Sequence, residues 1–263
     1  MKFLKIFLFV LLCCSLAFSQ NLGGLIVADT PGAYNSYWHT SITLMNFSQQ
    51  DAVIPATLYL NNGQSFKFHF EVKSQQSISK LLIEILKENE INLPTFFGWV
   101  EIDLSGLPEE FSGFAAMYTP DPNAGEGAIF SEITPIFMPI VGEFALYPLT
   151  PCGSEAKEPM ALGGAVWRTN VGFVNTSSKQ VTINVECYDG KGMFLAHTSV
   201  GLNPKEIKQL NDVKRPEIWN IPCQLIKEPV ICFGDTAEYS EGIYVYAANN
   251  NNVNNFPIYI SPQ

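Results

Sequence analysis

Apolar side chains recur at every second position in several short stretches of this chain. Over 52–60, Ala52, Ile54, Ala56, Leu58 and Leu60 alternate with residues that include Thr57 and Tyr59; over 181–187, Val181, Ile183, Val185 and Cys187 alternate with Thr182, Asn184 and Glu186. A period of two predicts strands with one face on a core. Asn61, Asn62 and Gly63 follow the first stretch, and Asp189, Gly190, Lys191 and Gly192 follow the second. These residues tolerate positive φ and predict hairpin turns. Further strands are expected over 38–46, 98–104, 113–118, 167–175, 229–234 and 242–247. One stretch has a helical period instead: Ile78, Leu81, Leu82, Ile85 and Leu86 are spaced by three and four, which predicts a helix over 79–90. Its counterpart after Leu210 is cut short by Pro216.

The pattern occurs twice. At an offset of 129, Trp38, Thr40, Asn46, Ser48, Ile54, Tyr59, Gly63, Ile78 and Leu81 fall on Trp167, Thr169, Asn175, Ser177, Ile183, Tyr188, Gly192, Ile207 and Leu210. The same offset pairs Gly113 with Gly242. Many short strands, frequent turn residues and a single helix predict an all-β chain of two tandem immunoglobulin-like β-sandwich domains, related by internal duplication. The domains are expected over 20–139 and 140–263, each near ordinary domain size. Pro135, Pro139, Pro148, Pro151 and Pro159 punctuate the junction. Ile140, Val141, Phe144 and Leu146 are too apolar for a free linker and are expected to begin the second domain's first strand.

Residues 1–19 read as a signal peptide. Lys2 and Lys5 precede an apolar run over 6–12, and Ala17 and Ser19 are the small residues that favour cleavage before Gln20. The run is shorter than the ~20 residues of a membrane span, and Leu12 stands where a lipid-modified Cys13 would want a small residue. The expected mature chain is secreted, periplasmic or at the cell surface, with no membrane insertion. The full chain carries 15 basic and 25 acidic residues; without Lys2 and Lys5 the balance is 13 to 25, a net charge of −12. That sign argues against nucleic acid and anionic lipid as partners. With 47% hydrophobic and only 15% charged residues, the composition is that of a globular chain rather than a disordered one.

Four cysteines follow the signal: Cys152, Cys187, Cys223 and Cys232. An even number in an exported chain makes them disulfide candidates, with three possible pairings. Their spacings contain no CxxC pair, which disfavours zinc.

The segments over 38–46 and 167–175, each opening on Trp and closing on Asn, together with Asn203, Pro204, Lys205, Glu206, Ile207 and Leu210, resemble the tandem β-sandwich repeats of exported bacterial proteins. His39, Ser74 and Gln75 depart from that pattern. The resemblance implies a fold and a location and brings no catalytic residues.

Candidate chemistry is sparse. Trp38 with Thr40 and Trp167 with Thr169 share a strand face, as a ligand platform or, preferably, as structural cover. Asn46 and Asn175 begin Asn-x-Ser sequences, read as turns rather than glycosylation sites. Asp121, Asn123 and Glu126 suggest a calcium loop, but the second copy has an asparagine run over 249–255 there, read as a hairpin tip. Phe96, Phe97 and Trp99, near Pro94, are the candidate ligand-surface aromatics, with a core plug as the competing reading. The histidines His39, His69 and His197 match no nucleophile motif, and Glu84 with Glu88 or Glu109 with Glu110 make weak acid/base pairs. No catalytic, metal or cofactor residues are therefore assigned. The expected function is that of a non-catalytic structural, adhesive or surface-interaction protein whose partner is a protein or glycan at a cell surface. The alternatives are a carbohydrate-binding protein using loop aromatics and a β-sandwich hydrolase.

Overall fold

The computed structural model describes residues 22–32, 37–105, 111–120, 129–135, 140, 142–149, 167–210, 229–235, 242–251 and 257–260. Strands dominate, and the sheets are antiparallel throughout. In chain order the first half holds β1 (Leu22–Pro31), β2 (Tyr37–Asn46), β3 (Ala52–Leu60), β4 (Ser65–Val72), β5 (Gln76–Leu81), α1 (Leu82–Glu88), β6 (Phe96–Asp103), β7 (Phe111–Pro120) and β8 (Ile129–Pro135). The second holds β9 (Glu143–Leu149), β10 (Trp167–Asn175), β11 (Val181–Tyr188), β12 (Phe194–Leu202), β13 (Ile207–Leu210), β14 (Val230–Asp235), β15 (Ile243–Asn251) and β16 (Pro257–Ile260).

The first eight strands form one hydrogen-bonded sheet, ordered β4-β3-β6-β1-β2-β7-β8 with β5 also on β2. It folds over where β1 meets β2, since those strands pair only at Thr30 with Trp38 and Pro31 with Tyr37. The side chain of Thr40 clips the corner: its Oγ1 donates to the Ala28 carbonyl and accepts from the Ala28 N–H. One wing, β5-β2-β7-β8, is layer 1; the other, β4-β3-β6-β1, is layer 2. Their facing side chains, among them Leu25, Ile42, Leu44, Ile54, Leu58, Phe70 and Ile102, make the first core, joined by Leu82, Ile85 and Leu86 of α1. The second half has two separate four-stranded sheets, β13-β10-β15-β16 (layer 3) and β12-β11-β14-β9 (layer 4). Val171, Phe173 and Val245 of layer 3 pack on Leu146, Ile183, Val185 and Leu202 of layer 4 in the second core. Both halves are thus β-sandwich-like, and among the described strands every pairing stays within its own half.

Strand for strand, layers 1 and 2 repeat as layers 3 and 4. The ladders correct the uniform offset of 129, however. It holds through β2 and β3, where Asn46 and Tyr59 correspond to Asn175 and Tyr188. A β-bulge in the β11–β12 pair, where Cys187 faces Ala196 but Tyr188 faces Phe194, then adds a residue. The positive-φ residues Gln75 and Lys205 correspond at 130, so Ile207 stands where Ser77 does and not where Ile78 does. By β14 and β15 the offset is 132: Leu58 faces Val100 while Cys187 faces Cys232, and Thr43 faces Phe114 while Gly172 faces Tyr246. Gly113 therefore corresponds to Val245, and its match with Gly242 was coincidental.

The central pairings β2–β5 and β3–β6 are those of the immunoglobulin order, but its outer strands are exchanged. Here β1 lies beside β6 for eight residues and β7 lies beside β2.

The helix is shorter than the periodicity predicted. Residues 79–81 belong to β5, because their backbone completes the ladder with Thr43, Ile42 and Ser41; only Leu82–Glu88 is helical. Of the asparagine run over 249–255, Asn249 to Asn251 extend β15 opposite Thr169, Arg168 and Trp167, with Asn249 buried and accepting from the Thr169 hydroxyl. β15 and β16 pair as an antiparallel hairpin, and Asn252, Asn254 and Asn255 between them lie outside the described residues. The two turns match expectation: Gly63 and Gly192 both take positive φ, each donating its N–H to the residue three before it.

Asn46 and Asn175 are buried turn residues. Asn175 Nδ2 donates to the carbonyls of Lys179 (2.6 Å) and Asn203 (2.9 Å), and its Oδ1 accepts from the Ser177 N–H. Asn46 repeats this with Gln50, Val72 and Ser48. Both amides are engaged within the fold, which explains the repeated Asn-x-Ser without a glycan. Replacing Asn175 with Ala strands two carbonyls and an N–H, so a loss of about 3 kcal/mol is expected in urea unfolding. Asn175→Asp should cost as much despite its shape, because it removes both donors and sets a carboxylate against two carbonyls; a near-neutral result for either would contradict the turn assignment.

Candidate interaction surface

Where β1 and β6 run side by side, both faces carry apolar residues. Leu25 and Val27 enter the first core, while Ile26 and Ala28 face the other way, beside Trp99 and half-buried Tyr59 and Phe97. On β10, β13 and β15, Val174, Ile207, Tyr244 and Tyr246 likewise point away from the second core. These two outer faces meet in a third buried cluster that joins layer 2 to layer 3, giving a stack in the order layer 1, layer 2, layer 3, layer 4. Tyr246 lies across Gly172, where a Cβ would overlap its ring, and its hydroxyl donates to Gln209 Oε1 at 2.7 Å.

Trp99 is the centre of this seam, with 1% of its surface exposed. Its ring stacks on Tyr59 with centroids 5.0 Å apart, and its Nε1–H donates to the Lys205 carbonyl at 2.9 Å. The Lys205 ammonium donates to Glu101 Oε2 at 2.5 Å and to the Thr176 carbonyl at 2.7 Å, and lies 5.8 Å from both ring centroids. Burial, reinforced by the Glu101 carboxylate, pushes the Tyr59 hydroxyl up to about 12. The folded seam favours the protonated form, so this contribution to stability is fully present below the unfolded value of about 10 and is lost as pH rises through about 12. Tyr59→Phe should therefore flatten the fall of the urea midpoint between about pH 10 and about 12; an unchanged slope would remove Tyr59 from this account.

The matching face of layer 4 is open. Tyr188 of β11, Phe194 of β12, Phe233 of β14 and Tyr147 of β9 lie on it; Phe194 is 54% exposed, and Phe233 and Tyr147 are each 45% exposed. Tyr188 packs edge to face between Phe194 (5.8 Å) and Phe233 (6.0 Å). Its hydroxyl donates to Glu186 Oε2 at 2.6 Å, and that bond pushes the hydroxyl above its ordinary range. Exposed Met193 adjoins the strip in sequence. Aromatic rings concentrated on one sheet face, bordered by Asn184 and Glu186, are suited to binding and have no role in the core beneath them. The tilts of 76° and 65° between neighbouring rings break any flat platform.

Phe96, Phe97 and Trp99 are placed elsewhere. Phe96 is buried in the first core, Trp99 is buried in the seam, and half-buried Phe97 packs against it. Among the disulfide candidates, Cys187 and Cys232 are bonded, with Cα atoms 4.1 Å apart on directly paired strands. Cys152 and Cys223 lie outside the described residues, as do Asp121, Asn123, Glu126, Glu109, Glu110 and the signal segment. Thr40 and Thr169 are buried, and Trp38 packs against the seam.

The histidines lie apart on β2, β4 and β12. His69 and His197 are exposed, and His69 faces Glu71. Glu84 is exposed on α1, and Glu88 there pairs with Lys80 at 2.7 Å. Sequence reasoning missed one polar cluster: buried Asp29 accepts from the Tyr37 hydroxyl (3.0 Å) and from His39 Nδ1 (3.1 Å). Burial and the neighbouring carboxylate push the Tyr37 hydroxyl up. Asp29 and Tyr37 flank the β1–β2 corner, so the cluster ties the fold where the sheet turns over. Among the described residues no group of His, Cys, Asp and Glu could hold a metal ion, and no helix is long and apolar enough to cross a membrane. No protein-family model matches the chain, and a search of curated proteins found no match.

Proposed function

We propose that the chain is an exported, non-catalytic surface-interaction protein built of two duplicated β-sandwich domains with an immunoglobulin-like kernel, 20–139 and 140–263, after a signal peptide over 1–19. In this reading it resembles the tandem β-sandwich repeats of exported bacterial proteins, and layer 4 is the face that meets its partner at the cell surface. The observation that carries the reading is the aromatic strip of Tyr147, Tyr188, Phe194 and Phe233, left open on the sheet equivalent to the one buried at the seam. A disulfide in the second half suits an oxidising compartment.

A protein partner suits the strip better than a sugar, because edge-to-face rings offer ridges and grooves to side chains and little flat area to a pyranose. Carbohydrate binding remains the second reading, supported by the Glu186 carboxylate bonded to Tyr188 at the strip's edge. Surface retention on the producing cells separates the outcomes. The triple variant Tyr188→Ala, Phe194→Ala, Phe233→Ala should be released, while a control altered at exposed Glu84 and Lys87 of α1 should be retained. Equal retention of both would remove layer 4 from the function, and a glycan array positive that the triple variant abolishes would favour the sugar reading.

A further inference from the structure

We propose that copies of this chain associate head to tail, with the aromatic face of layer 4 in one copy docking on layer 1 of the next around Phe47. The proposal deepens the reading of layer 4 as the interaction face and rests on it.

The internal seam is the template. It joins the outer face of layer 2 to the outer face of layer 3. Layer 4 is the strand-for-strand equivalent of layer 2, and layer 1 that of layer 3, so layers 4 and 1 are the remaining pair of the same two face types. Ladder register identifies the corresponding positions. Ile26, Tyr59, Trp99 and Glu101 of the seam become Tyr147, Tyr188, Ile231 and Phe233 in layer 4. On the opposing side, Lys205 and Thr176 become Gln75 and Phe47. Gln75 keeps the backbone of Lys205, with φ of 56° against 59°, and Phe47 is 61% exposed where Thr176 is buried.

The changes on the two faces match. In the seam, Glu101 binds the Lys205 ammonium, which also binds the Thr176 carbonyl. On the open faces, a phenyl ring replaces Glu101 (Phe233), an uncharged amide replaces Lys205 (Gln75), and a second phenyl ring replaces Thr176 (Phe47). The Glu101–Lys205 ion pair is thereby exchanged for a phenyl ring and an uncharged amide, with a second phenyl ring at the position whose backbone carbonyl holds Lys205, although the two sides belong to opposite ends of the stack. Exposed phenylalanines at these two corresponding positions are accounted for if the faces meet. The contact is heterologous, so it leaves one face free at each end and extends into chains of copies. Ile231 lacks the indole N–H that Trp99 gives to Lys205, so this association is weaker than the internal seam and depends on concentration.

Sedimentation velocity of the full mature chain tests the proposal. Wild-type protein should grow beyond dimer as concentration rises. Phe47→Glu and Phe233→Glu should each weaken association at least about tenfold, because each places a charge in a desolvated apolar contact. Mixed in equal amounts, the two variants should form dimers and nothing larger, since each retains the face that the other has lost. Circular dichroism confirms folding, and Phe47→Thr with Phe233→Ser replaces any variant that fails to fold. Assembly that survives Phe47→Glu but not Phe233→Glu would show layer 4 meeting itself and overturn the proposal. Wild type that stays monomeric at every concentration also overturns it; retention on cells that still depends on layer 4 would then leave the interaction reading standing, and retention independent of layer 4 would remove both.

Discussion

Replacing Trp99 with Ala should cost about 4 kcal/mol and separate the unfolding of the two halves. The side chain is buried between sheets from both sandwiches, so its removal leaves a cavity that neither backbone can close alone, and large aromatic truncations of this kind cost ~3–5 kcal/mol. The Lys205 carbonyl loses its donor, and the Lys205 ammonium loses one of two aromatic faces. Trp99→Phe divides these effects: it keeps much of the packing and deletes the N–H, for an expected loss of about 1–2 kcal/mol. Urea unfolding followed by circular dichroism, with Cys187–Cys232 intact, supplies the measurement. In Trp99→Ala a first transition should appear in which the seam opens while both cores persist. A single transition at the wild-type midpoint would mean that the halves do not support each other through Trp99.

Opening the Cys187–Cys232 bond should cost roughly 4 kcal/mol, because it releases a loop with a sequence separation of 45 in the unfolded chain. The first half shows what the pair replaces: Leu58 faces Val100 at the corresponding ladder position. The variant Cys187→Leu with Cys232→Val therefore refills the site with side chains already used there, and separates the cross-link from the packing. It should fold, losing most of the cross-link's contribution and little more. Cys187→Ala with Cys232→Ala should lose further stability to the cavity. Both sulfur atoms belong to buried residues, so reductant alone should act slowly on the native protein and quickly once urea opens β11 and β14. If reduced and oxidised proteins unfold at the same midpoint, the bond contributes nothing to the fold.

How much of this was legible depended on burial. β3 and β11 alternate cleanly because one face meets the core and the other is more exposed over most of their length, and Gly63 and Gly192 mark the turns that follow. β1 and β15 do not alternate. Leu25, Ile26 and Val27, and again Ile243, Tyr244, Val245 and Tyr246, are buried on both faces, because each strand serves its own sandwich and also the seam. A continuous apolar run carries no period and does not name its partner. Trp99 stood out in the sequence with Phe96 and Phe97, yet alternation sends Phe96 into the first core and Trp99 to the opposite face, which the second half covers. The layer 4 strip was invisible for the converse reason: positions 147, 188, 194 and 233 become neighbours only through the order β12-β11-β14-β9.

Phe233 is exposed in the isolated molecule, and the proposed function requires its face to be occupied on the cell. Fluorine NMR of residues 20–263 carrying 4-fluorophenylalanine at position 233 tests this, with the same label at buried position 70 as an internal control. The expected result is a solvent-sensitive resonance at 233 in dilute protein that shifts on addition of producing cells' surface fraction, while the resonance at 70 stays fixed. A resonance at 233 already shielded from solvent in the monomer, or one unmoved by the surface fraction, would contradict it.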